Sequence, residues 1–147
     1  MWLLYGLALV AGITNAVQSG VNATLSKSLG QPFAAGIVIS LMGAMTLLVV
    51  GLILGRFALP SLSDVRAVPN WAWMGGIMGA LLILAQLYAA QQIGAAPFLG
   101  LLVTAGVVTS IVLDHFGWVG FAQHPVSAWR ACGGVLMVAG VVLVTMF

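Results

Sequence analysis

An α-helix needs roughly 20 apolar residues to cross the ~30 Å hydrocarbon core of a bilayer, and this chain holds five such runs with only short breaks between them. They predict helices over about 2–27, 33–54, 71–91, 97–113 and 127–147, all in one membrane domain, 1–147. Gly30-Gln31-Pro32 ends the first run, and Pro32 is placed to open the second within its first turn. The second stops at Gly55-Arg56. Residues 56–70, with Pro60, Ser61, Ser63, Asp64, Arg66 and Pro69, form the one substantial loop and leave room for a short interfacial helical turn. Trp71 and Trp73 stand where an aromatic belt belongs. Gly94-Ala95-Ala96-Pro97 makes a short uncharged turn, and Asp114-His115-Phe116-Gly117 closes the fourth helix. Met1-Trp2-Leu3-Leu4-Tyr5 carries no basic segment and no small-residue cleavage site follows, so the first run reads as a retained helix rather than a signal peptide.

Solvation leads to the same class. Only 4% of residues are charged and 63% are hydrophobic, whereas a soluble domain carries about 25% charged residues to keep its surface wet. Lipid is therefore the solvent, and the expected fold is an all-α integral membrane protein of five transmembrane helices. The net charge of +2 arises from Lys27, Arg56, Arg66 and Arg130 against two carboxylates. These cations are scattered, which excludes a nucleic-acid surface. With the N-terminus inside, the three arginines fall on cytoplasmic ends and Lys27 on the outer side. So weak a bias is compatible with insertion in either orientation. The lone Cys132 has no partner for a disulfide or a metal site and reads as a packing residue. Gly51 with Gly55, and Gly75 with Gly79, are four apart, a spacing that lets helices approach closely in lipid. Gly30-Gln31-Pro32-Phe33 and Ala95-Ala96-Pro97-Phe98 form a faint internal echo, cheap to produce by chance.

Polar side chains in a chain this apolar are the candidates for function. Asn15, Gln18, Asn22 and Ser26 follow i, i+3, i+7 and i+11, one stripe on the first helix, with Ser19 beside it. Amides facing hydrocarbon would go unpaired at a cost of several kcal/mol, so they must face protein or a water-filled path. They either line a polar substrate route or simply join helices by hydrogen bonds. The third helix adds Gln86, deep enough to need a partner, while Gln91 and Gln92 reach the interface and Tyr88 suits the belt. Asp114 ends the fourth helix and Arg130 starts the fifth on the same side, which favours an ion pair that gates or braces the hairpin. His115 beside it could relay a proton or be merely solvated. There is no Glu, and no metal cluster, phosphate loop or nucleophile–base grouping can be assembled, so an enzyme has no chemistry to stand on and no cofactor is expected.

Gln18-Ser19-Gly20-Val21-Asn22-Ala23, Leu29-Gly30-Gln31-Pro32, Asp114-His115-Phe116-Gly117, and Arg130 with Gly133 resemble the YdcZ-type (DUF606-like) family of small proteins in the drug/metabolite transporter superfamily. The resemblance spans nearly the whole chain. It implies a half-size transporter of the bacterial inner (cytoplasmic) membrane whose working unit is an antiparallel, dual-topology dimer, either a homodimer or a pair of homologous subunits of opposite orientation. Two inverted copies would set two first-helix stripes around one cavity. Two departures stand out. Gly106 is followed by Val107 where the family commonly has Gln, and the first helix has only neutral amides where the related small multidrug resistance proteins carry a Glu. Proton-coupled export of cationic drugs is therefore not carried over. The expectation is a secondary-active transporter for a small polar or amphipathic molecule, with Asn15, Gln18, Ser19, Asn22 and Gln86 at the substrate. A passive channel and a non-transporting subunit of another membrane protein are the alternatives.

Overall fold

A computed structural model describes residues 1–147, and the chain is helical with short connections. The helices are α1 (Trp2–Leu29), α2 (Pro32–Ile53), α3 (Leu62–Ala67), α4 (Met74–Ile93), α5 (Ala95–Phe116) and α6 (Ala128–Met146), with a 3₁₀ turn, Asn70–Trp73, leading into α4. Five spans are long and apolar enough to cross a membrane: Trp2–Leu29, Pro32–Ile53, Asn70–Ile93, Ala95–Phe116 and Ala128–Met146. Helix is the form such runs must take, because lipid offers no hydrogen-bond partner and each backbone group has to be satisfied within its own segment.

The ends follow local chemistry. Gly30 takes a left-handed conformation (φ 63°) after α1 and returns its N–H to the Lys27 carbonyl, and Pro32 occupies the first turn of α2. Ser61 and Asp64 form a reciprocal capping box on the short interfacial helix α3. Ser127 caps α6, and Gly117 (φ 65°) closes α5 with its N–H on the Leu113 carbonyl. Helix α1 runs past the expected boundary because Ser26, Lys27 and Ser28 continue the turn rather than break it. Helix α5 starts at Ala95, so Pro97 is its third residue, where no helical N–H partner is lost.

The chain forms two units, Met1–Gln91 and Gln92–Phe147. In the first, α1 and α2 pack as a helical hairpin, and α4 joins them through side chains. A Cβ at Gly36 on α2 would sit 3.7 Å from Ile83 and 3.9 Å from Leu87 on α4. Ala35 and Leu87 are among the most buried residues. In the second, α5 and α6 pack as another hairpin. Gly100 brings them close enough that a Cβ there would meet Val141 Cγ2 at 2.7 Å.

What is buried inverts the pattern of a soluble protein. Ser19, Asn22, Ser26, Gln86 and Thr104 are buried beside Ala35, Leu87, Ala90, Phe98 and Val141, while most Leu, Ile, Val and Met side chains point outward. Helix α2 buries only Ala35. The glycine expectation needs one correction. Gly55 lies beyond the end of α2 in a left-handed conformation (φ 62°), so Gly51 and Gly55 share no helix face. Gly51 instead lets the chain fold back, with Phe57 Cβ 3.3 Å from where its own Cβ would be. Gly75 and Gly79 do share α4, but open space surrounds both within this chain.

Candidate functional site

The first unit holds the polar group that the sequence points to. At about 100° per residue, Asn15, Ser19, Asn22 and Ser26 fall within roughly 60° of arc on α1. Asn15 is half-buried, and Ser19, Asn22 and Ser26 are 2%, 5% and 4% exposed. Gln18 is exposed, at the border of the stripe, about 100° round from Ser19. The buried face is therefore i, i+4, i+7, i+11, with Ser19 in the place expected for Gln18.

Gln86 on α4, 7% exposed, is brought to this face. Asn22 Nδ2 donates to Gln86 Oε1 at 2.8 Å. The bond leaves Asn22 Oδ1 and Gln86 Nε2 without a protein partner. Ser19 is more unusual: its Oγ is sealed from the surface and bonds to nothing in the protein. Thr24, Ser40 and Thr46, by contrast, return their hydroxyls to the carbonyl four residues back, at 3.0, 2.9 and 2.8 Å. Such orphaned groups are costly in a low-dielectric surrounding. Together they leave one amide N–H group, one carbonyl oxygen and one hydroxyl, all uncharged, without a protein partner. Tyr88 is exposed, and Gln91 folds its side-chain amide onto the Leu87 carbonyl at 2.8 Å. Neither belongs to this group.

The second unit holds the charged pair. Arg130 Nη1 lies 3.6 Å from Asp114 Oδ2, with the two side chains 44% and 26% exposed. A single long contact this wet contributes at most about 1 kcal/mol. The loop between α5 and α6 is held more firmly by hydrogen bonds to the end of α5. His124 N–H donates to the Asp114 carbonyl at 2.7 Å, Gln123 Nε2 to the His115 carbonyl at 3.1 Å, and Val126 N–H to His115 Nδ1 at 3.1 Å. The His115 ring also lies edge-on to Phe116. With Nδ1 accepting, His115 acts as a strap for the loop, a role its sequence position did not suggest. Thr104, buried in α5, is the polar residue sequence reasoning missed. A lone hydroxyl in an apolar run gives no periodic signal.

Comparison with known families gives a match over nearly the whole chain. The family model described as "Putative inner membrane exporter, YdcZ" covers residues 3–143. No curated protein and no solved structure matches the chain.

Proposed function

The chain belongs to the YdcZ family and is a multi-pass membrane protein of the transporter class, and from that premise we propose that it is a secondary-active carrier. It moves a small polar or amphipathic organic molecule across the inner membrane by alternating access, and it works as a dimer of opposed copies. The observation that carries this reading is the buried Asn22–Gln86 hydrogen bond with the unpartnered Ser19 hydroxyl on the same α1 face. A structural bond between helices needs two groups, whereas here the Ser19 hydroxyl is also held out of lipid with no protein group to meet it.

The dimer rests on a second consideration. Gln18 and the Gly75–Gly79 face of α4 are uncovered in one copy. An amide left in hydrocarbon costs several kcal/mol, and a second copy laid against α1 would remove that cost. Asp114 and Arg130 brace the loop end of the α5–α6 hairpin.

Flux measurements on reconstituted vesicles separate this reading from a passive channel. A carrier saturates with substrate concentration and is accelerated by substrate on the opposite side. Linear, unsaturated flux with no such acceleration would establish a channel instead.

A further inference from the structure

The second unit carries a feature that substrate transport does not use. Two open grooves flank the packed seam of Ile111 and Gly134 between α5 and α6, about 460 Å³ on one face of the hairpin and about 310 Å³ on the other. Their lining is apolar along most of its length, but the larger one opens at Asp114 and Arg130. Gly133, in its wall, has nothing within 4 Å of where a Cβ would stand, so the groove is a vacancy and not a tight helix crossing. From Arg130 to Met137 this larger groove follows α6 for seven residues, about 10 Å of helix. One leaflet of a bilayer contributes roughly 15 Å of hydrocarbon, half the core thickness. Trp118 and Trp129, 56% and 87% exposed at the same end, set that end at headgroup depth.

We propose that this groove binds a phospholipid whose headgroup carries both an ammonium and a phosphate, the phosphatidylethanolamine class. The phosphate sits on Arg130, the ammonium on Asp114, and one acyl chain lies along the groove. Arg130 makes one contact with Asp114, at 3.6 Å. The rest of its planar donor fork remains available for phosphate oxygens, the geometry it matches best. The Asp114 carboxylate has acceptor capacity left for an N–H donor. A purely anionic headgroup would meet the Asp114 charge, and a choline headgroup has no N–H to give it. A helix from a second copy could fill the apolar floor but would leave the charged mouth unanswered. That points to lipid as the occupant.

Native mass spectrometry of the detergent-purified protein tests this, with dioleoyl phosphatidylethanolamine, phosphatidylglycerol and phosphatidylcholine added in equal amounts. The expected result is one ethanolamine lipid per chain, retained under collisional activation that strips the other two. Arg130→Gln and Asp114→Asn should each abolish that preference. Gly133→Leu, which fills the groove from an open position and leaves the charged pair intact, should abolish retention of the ethanolamine lipid. Helix content by circular dichroism confirms that each variant is folded. Equal retention of the three lipids overturns the proposal, as does a preference that survives both charge substitutions. If Gly133→Leu converts dimer to monomer with ethanolamine lipid retention unchanged, the groove belongs to a second copy and the proposal is likewise overturned.

Discussion

A buried amide surrounded by apolar side chains keeps its place only while its partner is present, and Asn22 with Gln86 shows the consequence. Gln86→Leu leaves the Asn22 amide unpaired in a low-dielectric site, which should lower stability by about 1–3 kcal/mol. Replacing both by Leu should recover much of that loss, since two apolar groups of similar shape leave nothing unsatisfied. A double-mutant cycle on thermal stability in detergent checks this, and a double variant less stable than Gln86→Leu alone would speak against the pairing. Ser19→Ala separates binding from structure. The hydroxyl bonds to nothing in the protein, so the substitution should shift stability by no more than about 0.5 kcal/mol while weakening transport. A large loss of stability would mean that Ser19 serves the fold. Asp64 gives the one pH prediction. The Ser61 hydroxyl and backbone N–H donate to its carboxylate and hold its pKa below the ordinary value. A depressed folded-state pKa gives stabilisation that is present above the unfolded value, about 3.9, and lost as pH falls through the folded one. Helix α3 should therefore keep its amide protection at neutral pH and fray only in strong acid, as hydrogen exchange at Val65 would report. Asn22 and Gln86 were both legible in the sequence, because amides are conspicuous in an apolar run. The sequence does not separate Ser19 from Gln18, because i+3 and i+4 both lie near the same helix face. Only the neighbouring helices decide which of the two is covered.

Helices were readable because a bilayer imposes one length on them, and Gly and Pro mark where they stop. Their ends shifted where a polar residue extends a turn, as Ser26 to Ser28 do in α1, or where a proline sits harmlessly in the first turn, as Pro97 does in α5. How one helix sits on another was not readable. The close approach at Gly100 depends on Val141, 41 residues away in the chain. Gly100→Ala should cost about 1–3 kcal/mol, because the β-branched Val141 side chain is stiff and cannot swing aside. Unchanged thermal stability in that variant would place α5 and α6 farther apart. The loop after α5 holds a second local constraint. Val119 adopts φ 57°, a left-handed conformation that a β-branched residue rarely takes. Val119→Asn, which tolerates that region, should raise stability by about 1 kcal/mol.

At the scale of the whole chain, most large apolar side chains face outward while Ser19, Asn22, Ser26, Gln86 and Thr104 are buried, which fits a protein dissolved in lipid. The five spans and the family were both visible in the sequence. The opposed dimer is a proposal that the sequence offers only through the family resemblance and the weak charge bias, since a chain seen alone carries no record of a partner's orientation. Gln18 lies near the middle of α1, so two opposed copies would meet close to it. Gln18→Cys, with Cys132 replaced by Ala, should cross-link into a dimer with a short bis-maleimide in membranes. The decisive experiment is solid-supported membrane electrophysiology on the reconstituted protein, across small organic anions, cations and zwitterions at two pH values. Saturable current for one class, abolished in a folded Asn22→Ala variant, is the expected outcome. Current that persists undiminished in Asn22→Ala would remove the α1 face from the transport path.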